Sequence, residues 1–334
     1  MKILITGANG FIGSAIAEEA VKRGYEVWAG VRQSSDLTYL KDLNVKYIDL
    51  NYAHPHLLVQ QLVEHKERNG AWDYIVHNAG VTKCDNKADF ERVNYEFTKN
   101  FVEALMEAEI VPKQFIFMSS LSAWGAGNEE TNEPIRLADE PKPNTLYGVS
   151  KLKAENYIKN LDKFPYVFLR PTGVYGPREK DYFIMIQTIK HGFDPAMGCR
   201  PQYLTFIYVS DLVRVIFSAI DKNVVRKAYF VSDTKTYTNT EYSEIVKKAL
   251  GKKIVLKLPV PLFLVKMISY TLDSICGHFG KSSTLNRDKY NIISAHNWRC
   301  ETGQLVQDLD FTPEVFLEEG VRKSIEWYKQ EKWL

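Results

Sequence analysis

Three glycines spaced three residues apart set the tightest limit on what this chain can become. They lie in Thr6-Gly7-Ala8-Asn9-Gly10-Phe11-Ile12-Gly13. The apolar run Lys2-Ile3-Leu4-Ile5 precedes them, and Ser14-Ala15-Ile16-Ala17-Glu18-Glu19-Ala20-Val21 follows. The first run reads as a strand and the last as a helix. Gly7 permits the sharp turn between them, Gly10 lets backbone approach a pyrophosphate with no Cβ in the way, and Gly13 lets the helix lie close to the sheet. The N–H groups at the helix start lack partners within the helix and face any phosphate placed there. A plain strand-to-helix turn would use the same residues, so the neighbours decide. A second strand-like run, Glu26-Val27-Trp28-Ala29-Gly30-Val31, follows at βαβ distance.

The first half of the chain keeps this alternation. Strand-like runs fall at 3–6, 26–31, 45–49, 74–77, 115–118 and 166–169, with helix-like runs between. Residues 90–107 place Phe90, Val93, Phe97, Phe101, Ala104 and Leu105 on one helical face. The pattern predicts an α/β fold, a doubly wound parallel sheet covered on both sides, with right-handed crossovers. After about Val174 the alternation weakens. A strand over 204–209 and a helix over 211–219 return to the sheet region, and a helix over 314–329 ends the pattern. The expected organisation is a dinucleotide-binding domain over 1–173, joined by 204–220, and a smaller, interleaved C-terminal substrate-binding lobe over 174–334.

Composition narrows the function classes. Of 334 residues, 45% are hydrophobic and 25% charged, the usual balance of a globular protein. A net charge of +2 with no basic block excludes a dedicated nucleic-acid binder. Cys84, Cys199, Cys276 and Cys300 are far apart without metal-type spacing, and reduced thiols in a cytoplasmic protein are expected. Lys2 leads directly into a strand, so no signal peptide is expected. The apolar stretch 260–279 is interrupted by Pro261, Lys266, Asp273 and His278, too often to span a membrane. A helix packed over the substrate pocket is the expected use of it, and amphipathic membrane docking is the alternative.

Tyr147-Gly148-Val149-Ser150-Lys151 carries the chemistry. Tyrosine and lysine four residues apart share a helix face. A phenol titrates near ~10, and an ammonium held beside it favours the phenolate and lowers that value. A surface pair on an ordinary helix has the same spacing, but here the pair follows a sheet-forming half. The strand 115–118 runs into Ser119-Ser120-Leu121-Ser122, and such sheets bind ligands at the carboxyl ends of their strands.

These motifs, with the Gly-x-x-Gly-x-x-Gly spacing, resemble the extended branch of the short-chain dehydrogenase/reductase superfamily, the NAD-dependent epimerase/dehydratase proteins. Ile48-Asp49-Leu50, His77-Asn78-Ala79-Gly80, Leu169-Arg170-Pro171-Thr172-Gly173-Val174-Tyr175-Gly176-Pro177-Arg178 and Tyr208-Val209-Ser210-Asp211-Leu212 extend the likeness over most of the chain. The resemblance implies a Rossmann-type fold and an enzyme. It implies catalytic roles for Tyr147, Lys151 and Ser120, with Ser122 the alternative serine. Asn94 would support Lys151 through water or fix a helix backbone. Cofactor contacts would come from Gly7, Asn9, Gly10, Phe11, Ile12, Gly13, Arg32, Asp49, Leu50, Asn78, Ala79, Gly80, Ser119, Tyr147, Lys151, Pro171, Gly173 and Val174.

In sequence, no carboxylate follows the second strand. Arg32 stands there instead, suited to a 2′-phosphate, which favours NADP over NAD, although an Arg stacked on adenine would serve either. Tyr147 would donate a proton to a carbonyl oxygen receiving hydride at its carbon, with Ser120 bonded to the same oxygen. Gly173 stands where nucleotide-sugar enzymes of the family carry Asn, and the form of its segment resembles 3β-hydroxysteroid dehydrogenase-like and dihydroflavonol reductase-like members. A small-molecule alcohol or ketone is therefore the expected substrate. Arg178, Arg200 and Arg287 keep a nucleotide-sugar epimerase or dehydratase with recycled cofactor as the alternative. A helix-paired homodimer is usual in the superfamily.

Overall fold

The computed structural model describes residues 1–198, 200–278, 283 and 285–334, so Cys199 and Phe279 lie outside the described residues. The chain runs β1 (Lys2–Thr6), α1 (Phe11–Lys22), β2 (Glu26–Gly30), β3 (Val45–Ile48), α2 (Pro55–Asn69), β4 (Tyr74–His77), α3 (Ala88–Glu91), a π-helical turn (Arg92–Glu96), α4 (Phe97–Glu107), β5 (Gln114–Met118), α5 (Leu146–Lys159) and β6 (Tyr166–Pro171). It continues through β7 (Gly173–Tyr175), α6 (Asp181–Lys190), β8 (Phe193–Met197), β9 (Tyr203–Leu204), β10 (Phe206–Tyr208), α7 (Val209–Asp221), β11 (Lys227–Val231), β12 (Tyr237–Thr238) and α8 (Asn239–Ala249). It ends with β13 (Leu256–Val260), α9 (Leu262–His278), α10 (Arg287–Ser294), α11 (Gly303–Leu309) and α12 (Leu317–Gln330).

Two compact units result. The first comprises Met1–Ala123, Leu146–Arg170 and Val213–Tyr229, and the second Trp124–Thr145, Pro171–Leu212 and Phe230–Leu334. Seven strands form one sheet in the order β11-β6-β5-β4-β1-β2-β3. The pairs β2–β3, β1–β2, β1–β4, β4–β5 and β5–β6 are parallel. Strands β4, β5 and β6 are buried along their whole length, as a sheet covered on both faces requires. Leu4, Trp72, Phe101, Phe115, Phe117 and Phe168 fill the core against it. Strand order reverses between β1 and β4, and open sheets of this kind bind ligands at the carboxyl ends beside that point.

The second unit uses short strand pairs, β7 with β10, β9 with β12 and β8 with β13. Its core gathers Tyr175, Phe206, Tyr242, Val246, Leu317 and Tyr328. Trp124–Thr145, which the sequence places inside the first domain, joins this unit because its backbone is tied there. Gly127 N–H donates to Asn297 O and Ile135 N–H to Arg299 O, both at 2.8 Å. The Asn297 amide also donates to the carbonyls of Asn128 and Glu133.

Three elements depart from their expected form. The helix over 90–107 is broken by the π turn, which carries Asn94. The strand over 204–209 is two strands, interrupted at Thr205, whose hydroxyl donates to Trp298 O. The apolar segment 260–279 forms α9 but does not bury its apolar side. Val265, Ser269 and Asp273 face inward, while Phe263, Met267 and Ile275 are exposed.

A buried hydrogen-bond chain joins β1, β4 and α4. The Thr6 hydroxyl accepts from Ala79 N–H and meets His77 Nδ1 at 2.9 Å. His77 Nε2 meets the Thr98 hydroxyl at 3.0 Å, which itself donates to Asn94 O. With Thr98 donating onward, His77 carries its proton on Nε2 and accepts from Thr6. Burial drives the His77 pKa down to about 3, and Lys151 adds to the effect. The folded value lies below the unfolded one, so this contribution to stability is complete above about pH 6.5 and is lost as pH falls toward 3. Each unit crossed costs about 1.4 kcal/mol. His65, also lowered by burial, acts in the same window. The expected outcome is that urea stability falls between pH 7 and 5 by about 2 kcal/mol more in the native protein than in His77→Gln. His65 is common to both proteins and cancels, so equal slopes would show that His77 is not held neutral.

Candidate active site

The turn after β1 is built on close backbone contact. Gly7 has φ of +64°, and a Cβ there would lie 3.0 Å from Ala79 Cα. A Cβ at Gly13 would lie 2.1 Å from Gly7 O. Gly10 is different, since its Cβ would meet nothing closer than Gly7 O at 3.4 Å. Protein packing does not demand glycine at that position, and the space it leaves lies before the first turn of α1. Gly10 is the helix N-cap and supplies no side-chain cap, so the first N–H groups of α1 remain available to an anion. Asn9, Phe11 and Ile12 complete the turn and are partly exposed.

At the ends of β2 and β3 the structure corrects one expectation. Arg32 is exposed, as a phosphate-binding side chain should be. Asp49 nevertheless brings a carboxylate to the same place, where it accepts from Gln33 N–H at 2.9 Å. Sequence order hid this, because Asp49 arrives from the next strand. The Leu50 side chain is spent in the core, which leaves Asp49 as the polar member of that pair.

Asn78, Ala79 and Gly80 follow β4, and Ser119 and Ser120 follow β5. Ser119 Oγ is buried with no hydrogen-bond partner, an orphan polar atom that a bound molecule would satisfy. Ser120 Oγ accepts from Ser122 N–H at 3.1 Å, and the Ser120 hydroxyl hydrogen-bonds the Tyr147 phenol. Of the two candidate serines, Ser120 is the one in contact with the Tyr147 phenol.

Tyr147 lies in the first turn of α5 and Lys151 one turn later. Lys151 is buried, and its ammonium donates to Met118 O at 2.9 Å and sits 4.7 Å from the centre of the Phe117 ring. Burial lowers its pKa to about 8, with Glu155 offsetting part of the shift. Glu155 is itself locked to Arg170 by hydrogen bonds of 2.6–3.2 Å, both side chains being buried. Burial pushes the Tyr147 pKa up to about 12, against a smaller lowering by Ser120. This reverses the expected direction. Lys151 is directed at Met118 O, so its charge does not offset the loss of water around the phenol. Tyr147 is therefore a protonated acid at neutral pH.

Asn94 is fully buried in the π turn. Its Oδ1 accepts from Val81 N–H, and its Nδ2 donates to Val81 O and Ser150 Oγ. It ties the segment after β4 to α5. Gly80 sits under both residues, since a Cβ there would lie 2.9 Å from Asn94 Oδ1 and 3.1 Å from Lys151 Nζ. Thus Asn94, Ser120, Tyr147, Lys151 and the residues after β1, β4 and β5 come together within the first unit. Pro171, Gly173 and Val174 fall in the second unit, where β7 pairs with β10.

A model of the NAD dependent epimerase/dehydratase family matches residues 3–231, more than half of the chain. The chain belongs to that family. It is similar to the UDP-glucose 4-epimerase of Vibrio cholerae, 25% identical over 98% of this chain and 95% of that protein. It is also similar to a 3-beta-hydroxysteroid dehydrogenase of Mycolicibacterium neoaurum, 24% identical over 76% of this chain and 71% of that protein. The solved UDP-glucose 4-epimerase of Thermus thermophilus, in complex with NAD, superposes with a TM-score of 0.76 at 20% identity, over 98% of this chain and 99% of that one, which shows a common fold. This family member is an enzyme of the short-chain dehydrogenase/reductase superfamily.

Sequence inspection missed Glu155 and Arg170 as a pair. They lie 15 residues apart on consecutive elements, α5 and β6, beyond the reach of any local spacing pattern, and only the burial of both charges reveals the pair. In the expected outcome, Gly80→Ala displaces Asn94 and Lys151 and lowers turnover, with a stability cost of about 1–3 kcal/mol. Chemical denaturation beside a single-turnover assay checks this, and an unchanged rate would show that the crowding at Gly80 does not reach the reacting groups.

Proposed function

We propose that this enzyme interconverts a hydroxyl and a ketone on a largely apolar small molecule, using NADP(H), with NAD(H) as the weaker cofactor. The observation that carries the reading is the Ser120–Tyr147 hydroxyl pair one helical turn from buried Lys151. The cofactor's pyrophosphate would rest at Gly10 and the first turn of α1, its adenosine end near Arg32 and Asp49, and its ribose near Ser119 and Lys151. Asn9, Phe11, Ile12, Asn78, Ala79 and Gly80 would shape that groove.

When bound, the nicotinamide supplies the two-electron chemistry at the carbonyl carbon. Tyr147, protonated at neutral pH, donates its proton to the carbonyl oxygen as charge develops there. Ser120 turns its O–H to the same oxygen. Lys151, cationic below about pH 8 and directed at Met118 O, would hold the cofactor's ribose rather than the phenol. Asn94 holds the backbone that positions α5.

Gly173 favours the alcohol–ketone reading over nucleotide-sugar chemistry. A Cβ at that position would lie 2.2 Å from the Tyr182 hydroxyl, and the Tyr182 ring is held by Tyr175, Phe206 and Tyr242. The space for an asparagine amide is taken. Arg287 is committed to Asp273 at 3.2 Å and stacks on Tyr270, which removes it as a phosphate clamp. One observation favours the alternative of an epimerase or dehydratase that recycles its cofactor. Arg200 lines a cavity of about 530 Å³ in the second unit together with Glu129, Tyr290 and His296. Net oxidation or reduction of free NADP(H) with steroid or flavonoid ketones supports the first reading, and conversion of a nucleotide-sugar without net redox supports the second.

Tyr147→Phe keeps the ring and removes the acid. Turnover should fall ~10²–10⁴-fold with NADPH affinity retained. Lys151→Met should damage both. Single-turnover kinetics beside fluorescence titration of NADPH distinguish these, and a Tyr147→Phe protein as fast as the native one would refute the proton donor.

Arg32→Ala should weaken NADPH binding by about 1–2 kcal/mol, the low end for a charge-assisted bond because Arg32 is exposed, and should leave NADH nearly unchanged. Equal losses for the two cofactors, or tighter native binding of NADH, would overturn the preference for the 2′-phosphate.

A further inference from the structure

A helix of the second unit is turned the wrong way for a helix that serves only its own core. The inward residues of α9 at four-residue spacing are Val265, Ser269 and Asp273, and two of the three are polar. Ser269 returns its hydroxyl to Val265 O, and Asp273 pairs with Arg287. The outward side carries Phe263 at 68% exposure, Met267 at 58%, Ile275 at 52% and Ile268 at 44%. The chain just before α9 continues the pattern, with Ile254, Leu256 and Leu258 exposed on and beside β13. Scattered exposed apolar residues are ordinary, but several on the outward side of one helix mark an interaction surface.

Charge identifies what the surface fits. Between Glu244 and Asp273 the sequence has six lysines, Lys247, Lys248, Lys252, Lys253, Lys257 and Lys266, and no Asp or Glu. Lys247 and Lys248 pair with Glu244 and Glu318. Lys252, Lys253, Lys257 and Lys266 are exposed and pair with no carboxylate among the described residues. An apolar helix side bordered by unneutralised lysines complements a layer whose outer shell is anionic and whose interior is hydrocarbon. A second copy of this chain is a poorer fit, because a two-fold contact on this face would set the same lysines against each other. No described helix is long and apolar enough to cross a membrane. The geometry points to α9 and β13 as a docking face for an anionic membrane surface, on which α9 lies with Phe263, Met267 and Ile275 inserted among the acyl chains.

This inference goes beyond the choice of substrate, and its test needs no turnover. Full-length protein is co-sedimented with vesicles of phosphatidylcholine alone or of phosphatidylcholine and phosphatidylglycerol at about 3:1. In about 0.1 M salt the anionic vesicles should capture the protein and the neutral ones should not, and about 1 M salt should release most of it. The exposed pair Lys252→Gln and Lys253→Gln should lower anionic binding ~10-fold or more, with an unaltered thermal melt. Phe263→Ser with Met267→Ser should abolish binding even at low salt. Failure of the native protein to bind anionic vesicles would overturn the proposal. So would a concentration-dependent dimer that Phe263→Ser dissociates, because the face would then be a contact between copies.

Discussion

The buried chain from Thr6 through His77 and Thr98 to the carbonyl of Asn94 holds the first unit in register. Three elements that are remote in sequence meet in it, and each buried polar atom it uses would otherwise lack a partner. It begins where β1 enters the glycine turn and ends in the π turn. A regular α-helix over 90–107 would carry Asn94 at another angle to its neighbours. The irregular turn presents its amide to Val81 and Ser150 while Thr98 takes up its carbonyl. Such single turns recur at functional positions because one added residue re-aims a side chain without ending the helix.

Around this frame the site is arranged by loss of water. Burial moves Tyr147 and Lys151 apart on the pH scale, the phenol upward and the ammonium downward. At pH 7 the phenol is neutral, and the ammonium keeps its charge in spite of burial. The Glu155–Arg170 pair is the supporting electrostatic element. Buried ion pairs contribute little net stability, but breaking one costs about 3–5 kcal/mol. Its service here is to hold a carboxylate one turn below Lys151 without letting that carboxylate neutralise it.

Much of this was legible in the chain. Six of the seven sheet strands are short apolar runs bounded by glycine, proline or polar residues, and their expected limits agree with the sheet to within two residues, whereas β11 was not assigned from the sequence. The glycine turn and the Tyr147–Lys151 spacing were equally plain, because both rest on covalent geometry. What stayed hidden depends on contacts between distant residues. Arg92 to Glu96 has ordinary helical composition, so the extra residue in its turn has no local signal. Trp124–Thr145 belongs to the second unit through bonds to residues 297–301. Apolar content over 260–279 said nothing of which side of α9 would face out. The pKa of Tyr147 was misjudged because proximity can be read from spacing and burial cannot.

The division of the chain has a consequence for its synthesis. A polypeptide leaves the ribosome from its amino end, and β6 is complete long before its neighbour β11 exists. Between them the chain must add β7 through α7, most of which belongs to the other unit. Throughout that interval β6, free of charge from Tyr166 to Leu169, stands as an open edge of an unfinished sheet. Open edges recruit other strands, so nascent copies on one messenger are exposed to mispairing until Lys227 and its successors arrive.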